Sequence, residues 1–298
     1  MPAVSRWGKG TWIIKGTNTT VENIEFSGAK VPDRNGGGIR FEGKNLTVRN
    51  CYFHHNENGI LGGTNEDGEI VVEHSEFAYN GHGDGQSHNI YIGRVRSLTV
   101  KFSHLHHAKV GHNLKSRAMT NQILYNRIID EADGTASYEV NLPDGGLAYL
   151  VGNVIQQGPK TENSTIISYG DEGLKKGAHE FYFANNSVVN DGPRESRFIR
   201  VNSGTRQVTI VNNVFAGHGK PLEGVGKLRN NLIVDKSDFV APERYDYRLR
   251  SGSKAIDKGI DSGEVHGVSL RPTLPYLHPL QALPRISNRR LDLGAFEQ

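Results

Sequence analysis

The hexapeptide from Val21 to Phe26 returns along most of the chain, at 48–53, 72–77, 100–105, 124–129, 151–156, 184–189, 211–215 and 229–234. Its third positions are Asn23, Asn50, His74, Phe102, Asn126, Asn153, Asn186, Asn213 and Asn231, separated by 27, 24, 28, 24, 27, 33, 27 and 18 residues. A unit of that size cannot bury a hydrophobic face alone and is stable only when stacked on its neighbours. It is also too short for a strand, a crossover helix and their loops, but it suits three short strands forming one coil of a parallel β-helix. At about 4.8 Å per stacked strand, about nine coils make a body roughly 40 Å long.

The expected class is therefore all-β, a single-stranded parallel β-helix over residues 8–235. Residues 236–298 form a C-terminal segment packing on it, and Pro272, Pro275, Pro279 and Pro284 mark part of that segment as an extended strap. Composition agrees: hydrophobic content is 36% with 36 glycines, and the Val, Ile, Thr and Phe runs are short and broken by Gly, Asn and Asp. The formal charge of +3, from 35 basic and 32 acidic residues interspersed along the chain, is too weak and too scattered for a dedicated nucleic-acid binder. It remains compatible with an anionic substrate. Cys51, the single cysteine, excludes an intramolecular disulfide and reads as a buried thiol. No run of 18 apolar residues predicts a membrane span. The N-terminus lacks the apolar core of a signal peptide, so an exported location presumes a leader already removed.

The recurrent asparagine is expected at a corner, where its side chain bonds neighbouring backbone and tolerates left-handed angles. Upstream of each echo lies another strand. If Ile39, Phe41, Ile90, Ile92, Leu114, Tyr138, Val140 and Val201 point inward, strand alternation turns Arg40, Leu61, Tyr91, Asn113 with Lys115, Glu139 with Asn141, and Arg200 with Asn202 outward. Such a column reads as a saccharide-binding groove.

On these repeats the chain resembles the right-handed parallel β-helix superfamily that includes pectate lyase-like proteins, polysaccharide lyases, alginate epimerases and pectinases. The likeness runs over residues 10–235. The stretches 246–259 and 291–297 are similar to the tail that closes many secreted bacterial β-helix proteins. The resemblance implies a secreted or periplasmic, carbohydrate-directed protein, expected to act as a monomer on an acidic polysaccharide. It leaves lyase, C5-epimerase, hydrolase and noncatalytic adhesin open, because the fold hosts all of them.

Chemistry gathers in one stretch. Nine of the thirteen histidines lie between 54 and 112, where His74 and Phe102 also interrupt the asparagine series. A Gly-rich loop carrying His82, Asp84 and His88 leads into Tyr91, and His112, Asn113, Lys115 and Arg117 follow one coil later. Removing the C5 proton of a uronate requires that its carboxylate be neutralised and that a base stand near the proton. The expected catalytic set is Tyr91, His112, Lys115, Arg117 and His88, with Lys115 as the base beside Arg117 and Tyr91 protonating the leaving oxygen, or a Tyr or His base with the roles exchanged. Arg40, His82, Asp84, Asn113, Glu139, Asn141 and Arg200 are the expected substrate-binding groups. The AspProHis motif of alginate epimerases is missing from 84–89, and the paired aspartates of pectinases are absent. β-Elimination is thus favoured over epimerisation and hydrolysis. Two metal readings stand beside it: a transition metal on the pairs His54/His55 and His106/His107 with His82 or Asp84, and calcium, common in the family's lyases, on Asp84, Glu139 and Asp144.

Overall fold

The computed structural model describes residues 9–175, 177–286 and 290–298; residue 8 and positions 287–289 of the C-terminal segment lie outside them. Three parallel nine-stranded sheets are stacked in chain order, each visited once per coil. The first runs from Gly10–Ile14 to Gly219–Glu223, the second from Thr19–Glu22 to Lys227–Arg229, and the third from Glu25–Ser27 to Leu232–Val234. The chain is an all-β parallel solenoid, as its repeat predicts.

The core is a set of columns with one residue type per level. Ile39, Ile60, Ile90, Leu114, Val140, Ile167 and Ile199 stack from the first sheet. The third sheet supplies Phe26, Phe53 and Phe77, whose rings stack at 4.8 and 4.6 Å. Burying such side chains stabilises the fold by about 1.5–3 kcal/mol each, offset by the entropy of ordering the chain.

The corner between the second and third sheets corrects the single asparagine column. Two adjacent columns exist. Asn23, Asn50, His74, Phe102, Tyr125, Asn185, Asn212 and Asn230 hold the left-handed position, with φ between 47 and 59°, and Gly152 takes it in its own coil. The next residue points inward: Cys51, Ser75, Ser103, Asn126, Asn153, Asn186, Asn213 and Asn231. Each of these from Ser75 onward accepts from the backbone N–H of its counterpart one coil earlier, at 2.8 to 3.2 Å. His74 and Phe102 are therefore not gaps in this ladder, which continues through Ser75 and Ser103. They belong to the adjacent left-handed column of the same corner, where His74 Nδ1 meets the carbonyl of Leu280. Cys51 is buried in the inward column.

Alternation also fails where the first-sheet strands begin. Gly38, Gly59, Asn89, Asn113, Glu139, Ile166 and Phe198 point inward beside the isoleucine column, so two consecutive residues face the core. At Gly59 a Cβ would stand 2.8 Å from the Phe77 ring, which keeps that position a glycine. Asn113 and Glu139 thereby leave the expected outer column and are buried, while Tyr138, expected inside, is only partly buried and lies edge-on against His112.

The C-terminal segment covers outer surfaces of the second and third sheets. Phe239, Tyr247, Leu249 and Leu293 pack on Val154, Val189 and Val214, and Leu270 packs on Tyr149 and Tyr182. Arg285, whose side chain has no exposed surface, ties the segment to the carbonyls of Asp292, Gly294 and Phe296 and to Glu297. No helix among the described residues is long and apolar enough to cross a membrane.

Candidate functional site on the first-sheet face

Outward residues of the first sheet align as Arg40, Leu61, Tyr91, Lys115, Asn141, Ser168, Arg200 and Glu223, one per strand. Its middle levels carry an ion network. Arg117, immediately after its strand, donates through Nε to the Tyr91 hydroxyl at 3.1 Å, through Nη2 to Glu172 at 2.6 Å, and through Nη1 to Asp144. Lys115 bonds Glu172 at 3.1 Å, and its ammonium lies 5.6 Å from the centre of the Tyr91 ring. Arg94 approaches Asp144 at 3.9 Å. The two acids come from loops leaving the first sheet. Asp144 sits in the turn made possible by Gly145 and Gly146, with φ of 77 and 100°, and the Glu172 N–H donates to the carbonyl of Pro143. Burial opposes the charge on Arg117 and Glu172, but their surroundings outweigh it: Tyr91 and Glu172 raise the pKa of Arg117, and Arg117 with Lys115 lowers that of Glu172.

Beside this network the His88 and His112 rings stack at 4.5 Å, and His88 lies edge-on to Tyr91 at 5.4 Å. Burial, reinforced by the neighbouring cations, pushes His88 well below its usual range and His112 to about 3, so both are neutral at physiological pH. His88 Nδ1 accepts from the His112 N–H at 2.9 Å, which places its own proton on Nε2. The Asn141 amide donates toward His112 Nε2 at 3.4 Å. His112 Nδ1, Asn141 Oδ1 and the Ser168 hydroxyl are buried without a partner. Buried polar atoms normally find one, so three on adjacent strands leave unmet hydrogen-bonding capacity directly beneath this face.

Tyr91, His88, His112, Lys115, Arg117 and Asn141 thus share one patch. Lys115 is held in an ion pair rather than left free as a base. Arg40 lies two strands from Tyr91 and bonds Glu42; Arg200 lies three strands from Lys115 and bonds Glu223. Near Arg200 the same face continues as a cavity of about 280 Å³ lined by Tyr169, Asp171 and Asn202. His82 faces Glu57 at 3.6 Å, and Asp84 caps its own loop by accepting from the Gln86 N–H.

Asn113 binds inside the solenoid, donating to Asp130 at 3.1 Å and Glu139 at 2.7 Å. Burial, and for Glu139 the nearby Asp130 charge, raises both acids, Asp130 to about 7 and Glu139 well above its usual range. Glu139 therefore serves the interior and not the groove. The calcium reading falls with it: Glu139 is internal, Asp144 is bound to Arg117, and Asp84 is engaged in its own loop. Sequence reasoning missed Glu172, Arg94 and Ser168. Only Ser168 carried a usable signal, through its place in the outer column.

Comparison with protein-family models, curated proteins and solved structures gives no match, so the chemistry of this face rests on its own residues.

Proposed function

We propose that this solenoid is a pectate lyase-like polysaccharide lyase, cleaving a uronic-acid-containing polysaccharide by β-elimination on the first-sheet face. The carrying observation is the Tyr91 hydroxyl, bonded by the Arg117 guanidinium beside the neutral His88/His112 pair and the partnerless Asn141 and Ser168 atoms. In this reading Tyr91 reacts as the phenolate, its hydroxyl proton released to solvent beforehand, and its oxygen takes the C5 proton. The electron pair forms the C4=C5 double bond, the C4–O glycosidic bond breaks, and the proton passes to the leaving oxygen. Arg117 stabilises negative charge on the phenol oxygen. His112, protonated on Nδ1 when Asn141 bonds its Nε2, donates with Arg117 toward the substrate carboxylate, whose enolate charge must be met in the transition state. Such a substrate fits a secreted or periplasmic enzyme.

The ion pairs of Lys115 and Arg117 favour a second reading, a noncatalytic glycan-binding solenoid, because both cations are already neutralised. Incubation with a panel of acidic polysaccharides separates the two. The lyase forms ultraviolet-absorbing unsaturated ends; a binder retains the glycan and forms none.

A further inference from the structure

The outer column of the third sheet carries two histidine pairs built alike, two coils apart. His54 and His55 face each other through Nδ1 at 2.8 Å, and His106 and His107 do so at 2.6 Å. In the first pair, His54 Nε2 also meets Glu25 at 2.8 Å. Two contacts need two protons, which two neutral imidazoles supply. The second pair lies in a longer chain: Glu76 to His106 Nε2 at 3.1 Å, His106 to His107, and His107 Nε2 to Asp133 at 3.0 Å. Here three contacts share two protons, so one positive charge is missing between the two carboxylates.

A third imidazole stands at the same place. His104 is buried, its ring stacks on His106 at 4.2 Å, and its Nε2 has no partner. One ligand atom each from Glu76, His104 and His106 lies within 4.8 Å of the others. We propose that Glu76, His104 and His106 bind a first-row divalent cation of the zinc type, with one carboxylate and two imidazole ligands. With the metal on His106 Nε2, the His106 proton resides on Nδ1 and is donated to His107, whose own proton on Nε2 goes to Asp133. Every contact is then closed, and the His107–Asp133 relay orients the ligand as outer-shell partners of metal-bound histidines do. Three protein ligands leave a fourth position for water or an exchangeable group. The His278 ring of the C-terminal segment meets His104 edge-on at 5.3 Å and lines a cavity of about 330 Å³ with Arg127 and Tyr276. The Arg127 charge on the neighbouring strand opposes the cation, and Glu76 and Asp133 offset it.

The test is calorimetric titration of the chelator-stripped full chain with Zn2+, repeated with Co2+ while recording visible spectra. The expected result is one ion per chain, an intense four-coordinate Co2+ spectrum, and an affinity reduced at least ~10-fold in Glu76→Gln and His104→Gln but kept in His54→Ala. Glu76 is partly exposed, so Glu76→Gln gives the answer should the change at buried His104 prevent folding. Absence of binding, or binding unchanged in Glu76→Gln, overturns the proposal, as does binding lost in His54→Ala. All readouts are independent of any lyase activity.

Discussion

The outer faces of the first and third sheets are built from the same coils yet finish differently. On the third sheet the later outward positions include Val154, Val189, Val214 and Ala216, and the C-terminal segment covers them. On the first sheet the corresponding column reads Tyr91, Lys115, Asn141, Ser168 and Arg200, and acidic loops border it. Apolar outer columns need a cover, whereas polar ones can meet a ligand. The repeat therefore builds the scaffold, and the outward residue at each level decides what the face does.

The comparison can be broken most severely from the covered side. Arg285→Ala removes the charge that ties the C-terminal segment together and leaves Glu297 buried without its partner. It is expected to cost about 3–5 kcal/mol in urea unfolding and to increase binding of a hydrophobic dye. An unchanged unfolding midpoint would mean that this face does not need its cover. Next in size is the scaffold common to both faces. Asn153→Ala strips acceptors from the Asn126 N–H and side-chain amide, and a donor from the Ile123 carbonyl. The expected loss is roughly 3 kcal/mol, measured in the same way.

The interior acid pair sharpens the assignment of Glu139. The folded values of Asp130 and Glu139 are raised, so between the unfolded carboxyl value of ~4 and about 7 the folded chain retains protons that the unfolded chain has released. Stability should fall as pH rises through that window and should level off only once both groups have lost their protons in the folded chain. Glu139→Gln should flatten the decline and be the more stable protein at pH above the window, as denaturant titrations across pH would show. If Glu139 instead faced the groove, its replacement would leave that profile unchanged. The smallest effect is expected on the open face: Glu172→Gln frees Lys115 and Arg117 from one anion and should tighten binding of an anionic glycan by about 2–5-fold, the size of a partly exposed ion pair. Weaker binding would make Glu172 part of the recognition surface.

The period, the sheet content and the inward isoleucine column were legible because each is written in residue spacing. The corner was misread by one residue because two neighbouring columns both favour asparagine, one for its left-handed backbone and one for its side-chain hydrogen bonds. The doublets Asn185–Asn186, Asn212–Asn213 and Asn230–Asn231 display both roles side by side. Strict alternation misplaced Asn113, Glu139 and Tyr138 because consecutive residues turn inward where each first-sheet strand begins. The outward placement of Tyr91 and Lys115 was legible because both lie in the regular part of their strands, and Arg117 follows directly after its strand. Glu172 was not, since it reaches the site from a loop whose course the repeat does not encode.

The central claim is that the open face performs elimination through Tyr91. Its most direct test is the rate at which Tyr91→Phe forms unsaturated ends from an acidic polysaccharide that the parent cleaves, with unfolding midpoint and glycan affinity measured alongside. The account predicts a loss of about 100-fold or more in turnover with both other quantities kept. A variant that turns over like its parent, or a parent that cleaves no acidic polysaccharide, would contradict it.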